Sequence, residues 1–128
     1  MTEIRKHNLV LSDLTDRIIG AAIEVHKILG PGFLESIYQK ALEIEMKNQG
    51  LTAEAEKEIE VYFKKTRVGL HRLDLLVENQ IIVELKAVKE FDESNMAQVL
   101  SYLKATGCKV GLLFNFAKAT LKIKRIVN

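Results

Sequence analysis

Two short apolar segments, residues 72–77 and 80–87, constrain the fold of this chain more than any other part of the sequence. Both segments are rich in branched side chains, which is typical of strands that are covered on both faces of a sheet. Three charged residues nevertheless lie inside them: Asp74, Glu84 and Lys86. Because an unpaired charge is costly to bury, such groups are normally paired, hydrated in a cleft or bound to a metal ion.

The sequence before these segments predicts two helices. Apolar residues recur at helical spacing over residues 12–29 and again over about 33–49, and a Gly-Pro-Gly sequence separates the two runs. Ser12 or Asp13 is a suitable N-cap for the first helix. We expect residues 1–9, which precede this pattern, to form a loosely ordered N-terminus.

The remaining sequence predicts strands with one further helix among them. The helix covers residues 93–106, and the apolar or alternating patterns typical of strands cover residues 57–63, 68–77, 81–87, 109–116 and, as an edge strand, 121–127. A helix between two apolar strands favours a right-handed parallel crossover, added here to an antiparallel three-stranded meander. We therefore predict an α/β fold, a mixed β-sheet flanked by helices in the order αα-βββ-α-β, in one domain of 128 residues.

The composition narrows the class of protein. With 48% hydrophobic residues the chain can bury a core without disulfides, and its single cysteine, Cys108, cannot form an internal bridge. No apolar run approaches the roughly 20 residues that span a bilayer, and none follows the charged N-terminus as a signal peptide would require. We therefore expect a cytoplasmic protein without a membrane partner.

The formal net charge of +2 is too mild to argue for nucleic acid by itself. Basic residues nevertheless cluster in two places, first at residues 64–67 with His71 and Arg72, and second at Lys118, Lys122, Lys124 and Arg125. Two interpretations stay open for these clusters. They are either solvated strand ends and a polar tail, or a rim that faces phosphates.

The connection between the two charged strands decides whether their acids meet. Strand periodicity places Glu84 and Lys86 on one face. A three-residue connection pairs Val77 with Ile81 and sets Asp74 across from Glu84, whereas a two-residue loop would turn Asp74 to the other face. Because the two acids can act together at one site only in the first arrangement, we predict a three-residue loop or a bulge with the same effect.

Two carboxylates at cross-strand distance suit a metal ion. They repel each other, and one of them should keep its proton unless a cation lies between them. Oxygen ligands of this kind suit Mg²⁺, with Mn²⁺ as an alternative, and Lys86 would position or activate the attacking water. Asp74, Glu84 and Lys86 thus form a catalytic set for metal-assisted phosphodiester hydrolysis. The alternative is an internal salt bridge between Lys86 and one acid.

Several segments of the chain carry a family resemblance. Residues 32–38, GFLESIY, match the signature of the GxxExxY proteins, and the similarity continues at residues 68–69, 72–77, 82–87 and 98–103. The chain therefore resembles this family, which is assigned to the PD-(D/E)XK nuclease-like superfamily. The resemblance covers most of residues 10–127 and implies a single nuclease-like domain over residues 1–128. It also implies a restriction-endonuclease-like α-β-β-β-α-β core, in agreement with the order predicted from the periodicity.

The resemblance also implies roles for the three charged residues. Asp74 resembles the metal-binding aspartate of the superfamily, Glu84 its second acidic ligand and Lys86 its catalytic lysine. Metal-dependent nuclease activity on DNA or RNA follows as the expected function. The competing hypothesis is a non-catalytic nucleic-acid-binding or protein-interaction module that keeps the fold and uses these charges structurally.

Further site residues follow from the resemblance. Glu35 resembles an additional metal ligand, although an acid in the first turn of a helix is also explained by the helix dipole. Gln98 and Tyr102 resemble a substrate-binding Gln-x-x-x-Tyr element, or else belong to an ordinary helix surface. Arg72 is a candidate phosphate contact. Because so small a domain has little surface to hold duplex DNA, a homodimer or a partner protein would help.

Overall fold

The structure, a computed structural model, describes residues 3–128, with side chains described from residue 11 onwards. The described residues form three helices and five strands in the order α1 (Glu3–Leu29), α2 (Glu35–Asn48), β1 (Ala53–Phe63), β2 (Thr66–Val77), β3 (Ile81–Lys86), α3 (Glu93–Thr106), β4 (Val110–Asn115) and β5 (Lys122–Val127). The predicted α/β class and the order αα-βββ-α-β with a final strand are therefore confirmed. In the described part of the chain, no helix is long and apolar enough to cross a membrane.

The strands form a mixed sheet in the order β1-β2-β3-β4-β5. Neighbouring strands are antiparallel except β3 and β4, which are parallel and are joined through α3. A parallel pair needs such a crossover, whereas the antiparallel pairs are joined by short connections. The central strands are consequently β2, β3 and β4, and β5 is an edge strand as predicted.

Helix α1 begins earlier than the sequence predicts. It starts at Glu3 rather than near residue 12, so Ser12 and Asp13 lie inside the helix and their prediction as N-caps is wrong. Helical periodicity marks only the part of a helix that packs on a core, and the first described side chain of α1 that is buried is Leu11. The expectation that residues 1–9 are loosely ordered stays a prediction, because residues 1 and 2 and the side chains up to residue 10 lie outside the description.

The side chains of β3 alternate between two apolar clusters. Ile81, Val83 and Leu85 belong to a large cluster with α1 and α2, to which α2 contributes Tyr38, Leu42 and Met46 at four-residue spacing. Ile82 belongs to a small cluster on the opposite face, together with Leu73, Leu76, Tyr102 and Leu103. The large cluster thus lies between the sheet and the first two helices, and the small cluster lies under α3.

Helix α3 lies close to the sheet because β4 carries a glycine beneath it. A Cβ atom on Gly111 would lie 2.6 Å from Val99 Cγ1, so only a glycine fits this approach. The helix begins with a capping box between Asp92 and Asn95 and ends at Gly107, whose φ of 79° is left-handed. These signals are local, and the predicted bounds of this helix are confirmed.

Tyr38 fixes the connection between α1 and α2. Its hydroxyl donates to the Gly30 carbonyl at 2.6 Å and accepts from the Phe33 amide at 3.1 Å. Its ring stacks on Phe116 with centroids 4.4 Å apart. The start of α2, and with it Glu35, is thereby held next to the end of β3.

Candidate metal and substrate site

The connection between β2 and β3 gives the register that the chemistry requires. Val77 pairs with Ile81, and the Gln80 amide donates to the Val77 carbonyl at 2.9 Å. Glu78 and Asn79 both have positive φ angles, 52° and 55°, which are typical of a type I′ turn. Gln80 is therefore the extra residue that shifts the pairing by one position, as predicted.

The two acids replace backbone hydrogen bonds between β2 and β3. The regular pairing of these strands runs from Val77 and Ile81 as far as Leu75 and Val83. Beyond that point the Asp74 amide donates to Glu84 Oε1 at 2.9 Å, and the Leu85 amide donates to Asp74 Oδ2 at 2.9 Å. Each carboxylate thus lies between the two strands and is held by a backbone amide of the opposite one.

The Glu84 carboxyl is buried beside a second acid. Glu84 is 3% exposed. Burial, as the largest cause, and the negative charge of Asp74, as the second, raise the pKa of Glu84 to about 8. The Asp74 backbone hydrogen bond and the Lys86 ammonium act in the opposite direction but do not cancel this rise. At neutral pH the carboxyl pair therefore holds a proton until a cation takes its place.

Lys86 ends β3 on the same face as Glu84. The residue is half-buried, and no ion pair joins its ammonium to Asp74 or Glu84 in the part of the chain that is described. The internal salt bridge considered as the alternative is thus not formed here. A buried pair of acids can hold a cation, and a nearby lysine can stabilise a developing negative charge.

Tyr102 and Gln98 of α3 lie next to the acids. Tyr102 is 5% exposed, and burial raises its pKa to about 12, with the charges of Glu84 and Asp74 acting in the same direction. A side-chain hydrogen bond with the exposed Gln98 opposes this rise. The phenol therefore stays protonated at physiological pH and is available as a hydrogen-bond donor.

His71 is a site neighbour that sequence reasoning missed. Its ring packs edge-on against Tyr102 with centroids 4.5 Å apart, and its Nε2 lies 3.4 Å from Ser101 Oγ. The sequence showed His71 only as part of a basic cluster. Strand alternation counted back from Leu75 would place it on the other face, and only a change of face within β2 brings it to α3.

That change of face occurs at Asp74. The β1–β2 pairing passes from Ala55 and Leu75 to Lys57 and Leu73, and Glu56, the residue opposite Asp74, has a positive φ of 53°. Leu75 belongs to the large cluster, whereas Leu73 belongs to the small one. The irregularity shifts the alternation of β2 by one residue and leaves the Asp74 side chain directed towards β3.

The structure does not bring Arg72 to the acids. Its neighbours in sequence contact α3, so by alternation Arg72 lies on the other side of the strand. It is exposed, and its guanidinium nitrogen lies 3.7 Å from a Glu58 carboxylate oxygen. Its assignment as a phosphate contact stays a prediction without support from this arrangement.

Glu35 lies at the end of β3 rather than within the acid pair. Its Oε1 accepts from the Ala87 amide at 3.1 Å, and the residue is exposed. Among the residues whose side chains are described, no group of three or more His, Cys, Asp or Glu side chains could hold a metal ion. The protein donors brought together are thus the carboxylates of Asp74 and Glu84. Two carboxylates suffice for Mg²⁺, which keeps several waters, so the donor set fits a divalent cation.

Comparisons with known proteins identify the family and support the fold. Residues 12–126 match the family model of the PD-(D/E)XK nuclease superfamily, whose members generally use divalent metal ions. No curated protein matches the sequence. The crystal structure of SSO0001 is similar, with a TM-score of 0.59 and 20% identity over 73% of this chain and 49% of SSO0001. This chain thus spans about half the length of SSO0001, and the likeness concerns the fold alone.

Proposed function

The chain belongs to the PD-(D/E)XK nuclease superfamily, and on this premise we propose that it is a metal-dependent nuclease that hydrolyses phosphodiester bonds of DNA or RNA. The observation that carries the proposal is the pair of carboxylates held between β2 and β3, with which no cationic side chain from residue 11 onwards forms an ion pair. Such a pair is costly when both acids are ionised, unless a cation neutralises it. A non-catalytic module would use Lys86 for that purpose, and Lys86 forms no such pair among the described side chains.

We propose that Asp74 and Glu84 hold Mg²⁺, for which Mn²⁺ can substitute. When bound, the ion would supply charge neutralisation at the phosphate and a lowered pKa for a water. Lys86 orients the attacking water and stabilises the negative charge that develops on the phosphate. Tyr102 donates a hydrogen bond from its neutral phenol, and Gln98 positions the substrate beside it.

Glu35 has a positioning role in this proposal. Its carboxylate holds the Ala87 amide and thereby fixes the backbone next to Lys86. To serve as a third metal ligand, the carboxylate would have to leave Ala87. We also assign the chain to the GxxExxY branch of the superfamily, because Glu35 and Tyr38 of that signature both stabilise the end of the site.

The proposal includes the surroundings of the protein. Nucleic acid is the proposed partner, and the size of the chain favours a homodimer or a partner protein on long duplexes. The free cysteine fits a reducing compartment, so we propose a cytoplasmic location.

A cleavage assay tests the proposal. The wild type, Asp74→Asn and Lys86→Met are incubated with single- and double-stranded DNA and RNA, with Mg²⁺, Mn²⁺ or a chelator. We expect metal-dependent cleavage by the wild type and a rate at least about 100-fold lower in each variant. Asp16→Asn and Lys40→Met make the same chemical changes on exposed surfaces of α1 and α2 and should leave the rate unchanged. Absence of cleavage of every substrate by the wild type with either metal would contradict the proposal.

A further inference from the structure

We propose that a cavity beside the C-terminal end of β4 binds single-stranded nucleic acid next to the catalytic acids. We call it the lysine cavity, and it has a volume of about 390 Å³ with walls that include Glu90, Phe91, Met96, Lys118, Lys122 and Lys124. The inference rests on the proposed nuclease function, because it specifies the form of the substrate. It also accounts for the three lysines of the second basic cluster of the sequence, which the catalytic residues leave unexplained.

The sheet connects the lysine cavity with the catalytic residues. Asn115 pairs with Lys86 on one side and with Lys122 on the other. Leu113 likewise pairs with Glu84 and with Lys124. Since neighbouring strands lie about 4.8 Å apart, the two lysines of β5 stand about 10 Å from the catalytic residues of β3.

The lysines of β5 also share a face of the sheet with the acids. Ile126 packs against the small cluster under α3, and side chains two residues apart on a strand point the same way. Lys122 and Lys124 therefore lie on the α3 face. Glu84 and Tyr102 lie on this face too, so one extended strand could contact both places.

The charge of the lysine cavity suits phosphate. Lys118 Nζ lies 2.7 Å from Glu90 Oε1, so one of the three lysines is paired. Lys122 and Lys124 are exposed, and neither forms an ion pair among the described side chains. With three lysines against one glutamate, the cavity keeps a positive excess on the side that faces solvent.

The apolar wall of the lysine cavity favours a single strand over a duplex. Phe91 and Met96 are both half-buried and form this wall. Asn115 Oδ1 accepts hydrogen bonds from the Val88 and Ala117 amides, and Asn115 Nδ2 donates to the Val88 carbonyl. These bonds hold the backbone beside the cavity in place. Aromatic side chains beside basic residues bind single strands, because each base can stack while its phosphates meet the cations. A duplex keeps its bases stacked inside and offers no base face to Phe91.

Oligonucleotide binding tests this inference. Affinities of the wild type for labelled single-stranded DNA, single-stranded RNA and duplex DNA are measured with a chelator present, so that no cleavage occurs. We expect the double variant Lys122→Gln/Lys124→Gln to bind single strands at least about tenfold more weakly, with the slope of log K against log salt reduced by about 1.4. Phe91→Leu should weaken binding about tenfold without changing that slope.

A matched control removes the same charge elsewhere. Lys40→Gln/Lys47→Gln lies on the exposed face of α2, on the other side of the sheet, and should bind as the wild type does. Lysines on an edge strand can also prevent association between sheets, so light scattering checks that the β5 variant has not aggregated. If it has, Phe91→Leu carries the test alone.

The outcomes separate this inference from the proposed function. Unchanged single-strand affinity in the β5 variant or in Phe91→Leu would overturn the inference, as would a preference of the wild type for duplex. Either result leaves the nuclease proposal standing if the wild type still cleaves. A wild type that binds no nucleic acid in this assay and cleaves none with either metal would overturn both. If both cavity variants bind only single-stranded RNA, or only single-stranded DNA, more weakly than the wild type does, the result would support the inference and show which of the two is the substrate.

Discussion

The two faces of the sheet differ in what covers them. Helices α1 and α2 cover one face with a large apolar cluster that extends from Leu11 of α1 to Phe116 beyond β4. On the other face α3 covers a smaller apolar cluster, which has five buried residues in the described part of the chain. Strand β3 has side chains on both faces, since Leu85 belongs to the large cluster and Glu84, its neighbour in sequence, lies by alternation on the α3 face.

This difference shows how a short chain combines stability with a costly site. One face supplies most of the apolar burial and therefore most of the driving force for folding. The thinly covered face has room for groups that destabilise a core, such as two adjacent carboxylates and a lysine that forms no ion pair with any side chain the structure describes. Substitutions of neighbouring residues on β3 should consequently have opposite effects on the free energy of unfolding.

The largest expected effect is on the well-covered face. Leu85→Ala should lower the free energy of unfolding by about 3 kcal/mol, because it removes buried methyl groups and leaves a cavity. Chemical denaturation of the metal-free protein measures this change. Val127→Ala, at a 59% exposed position of β5, is the control and should stay within about 0.5 kcal/mol of the wild type. A loss below about 1 kcal/mol for Leu85→Ala would mean that the large cluster does not dominate stability.

A smaller effect of opposite sign is expected on the face under α3. The pKa of Glu84 is about 8 in the folded chain against 4.5 for an ordinary glutamate. Between these values the folded state binds a proton that the unfolded state does not, so wild-type stability falls as pH rises from about 4.5 to about 8. Glu84→Gln does not titrate and should be more stable than the wild type by about 2 kcal/mol at pH 9, with a far smaller difference at pH 4.

Denaturation curves of both proteins from pH 4 to pH 9, without metal, measure this difference. Titrating groups that lie away from Glu84 are common to both proteins, so the difference between the two curves reports on the buried carboxyl pair. Glu24→Gln, an exposed position on α1, is the matched control and should follow the wild-type curve. Parallel curves for the wild type and Glu84→Gln would show that ionisation of the buried Glu84 carboxyl does not lower the free energy of unfolding.

The sequence predicted the arrangement that depends on local signals. Helix α3 begins with a capping box and ends at a left-handed glycine, and apolar runs of residues define β3 and β4. The register of β2 against β3 followed from a chemical requirement, that Asp74 and Glu84 meet, and the pairing of Val77 with Ile81 agrees with it.

Features that depend on tertiary contacts could not be predicted. The change of face at Asp74 occurs opposite a residue of another strand, Glu56, which has a positive φ. Because Glu56 is neither glycine nor asparagine, the sequence does not indicate this conformation. The placement of His71 and Arg72 follows from this change, so the face of the sheet on which each lies could not be predicted from the sequence. The contact of Glu35 with Ala87 depends on how Tyr38 holds the preceding loop. The start of α1 was missed because its first turns precede the periodic apolar pattern.

Calorimetric titration with Mg²⁺ tests the central claim most directly, that the Asp74–Glu84 pair on the thinly covered face is built for a cation. The wild type and Glu84→Ala are titrated at pH 7 in two buffers that differ in protonation enthalpy, with and without an oligonucleotide. We predict that the wild type binds the ion and releases about one proton, because the shared proton must leave, and that Glu84→Ala does not bind it. No binding by the wild type with nucleic acid present, or equal binding by Glu84→Ala, would contradict the account and make the pair a structural feature.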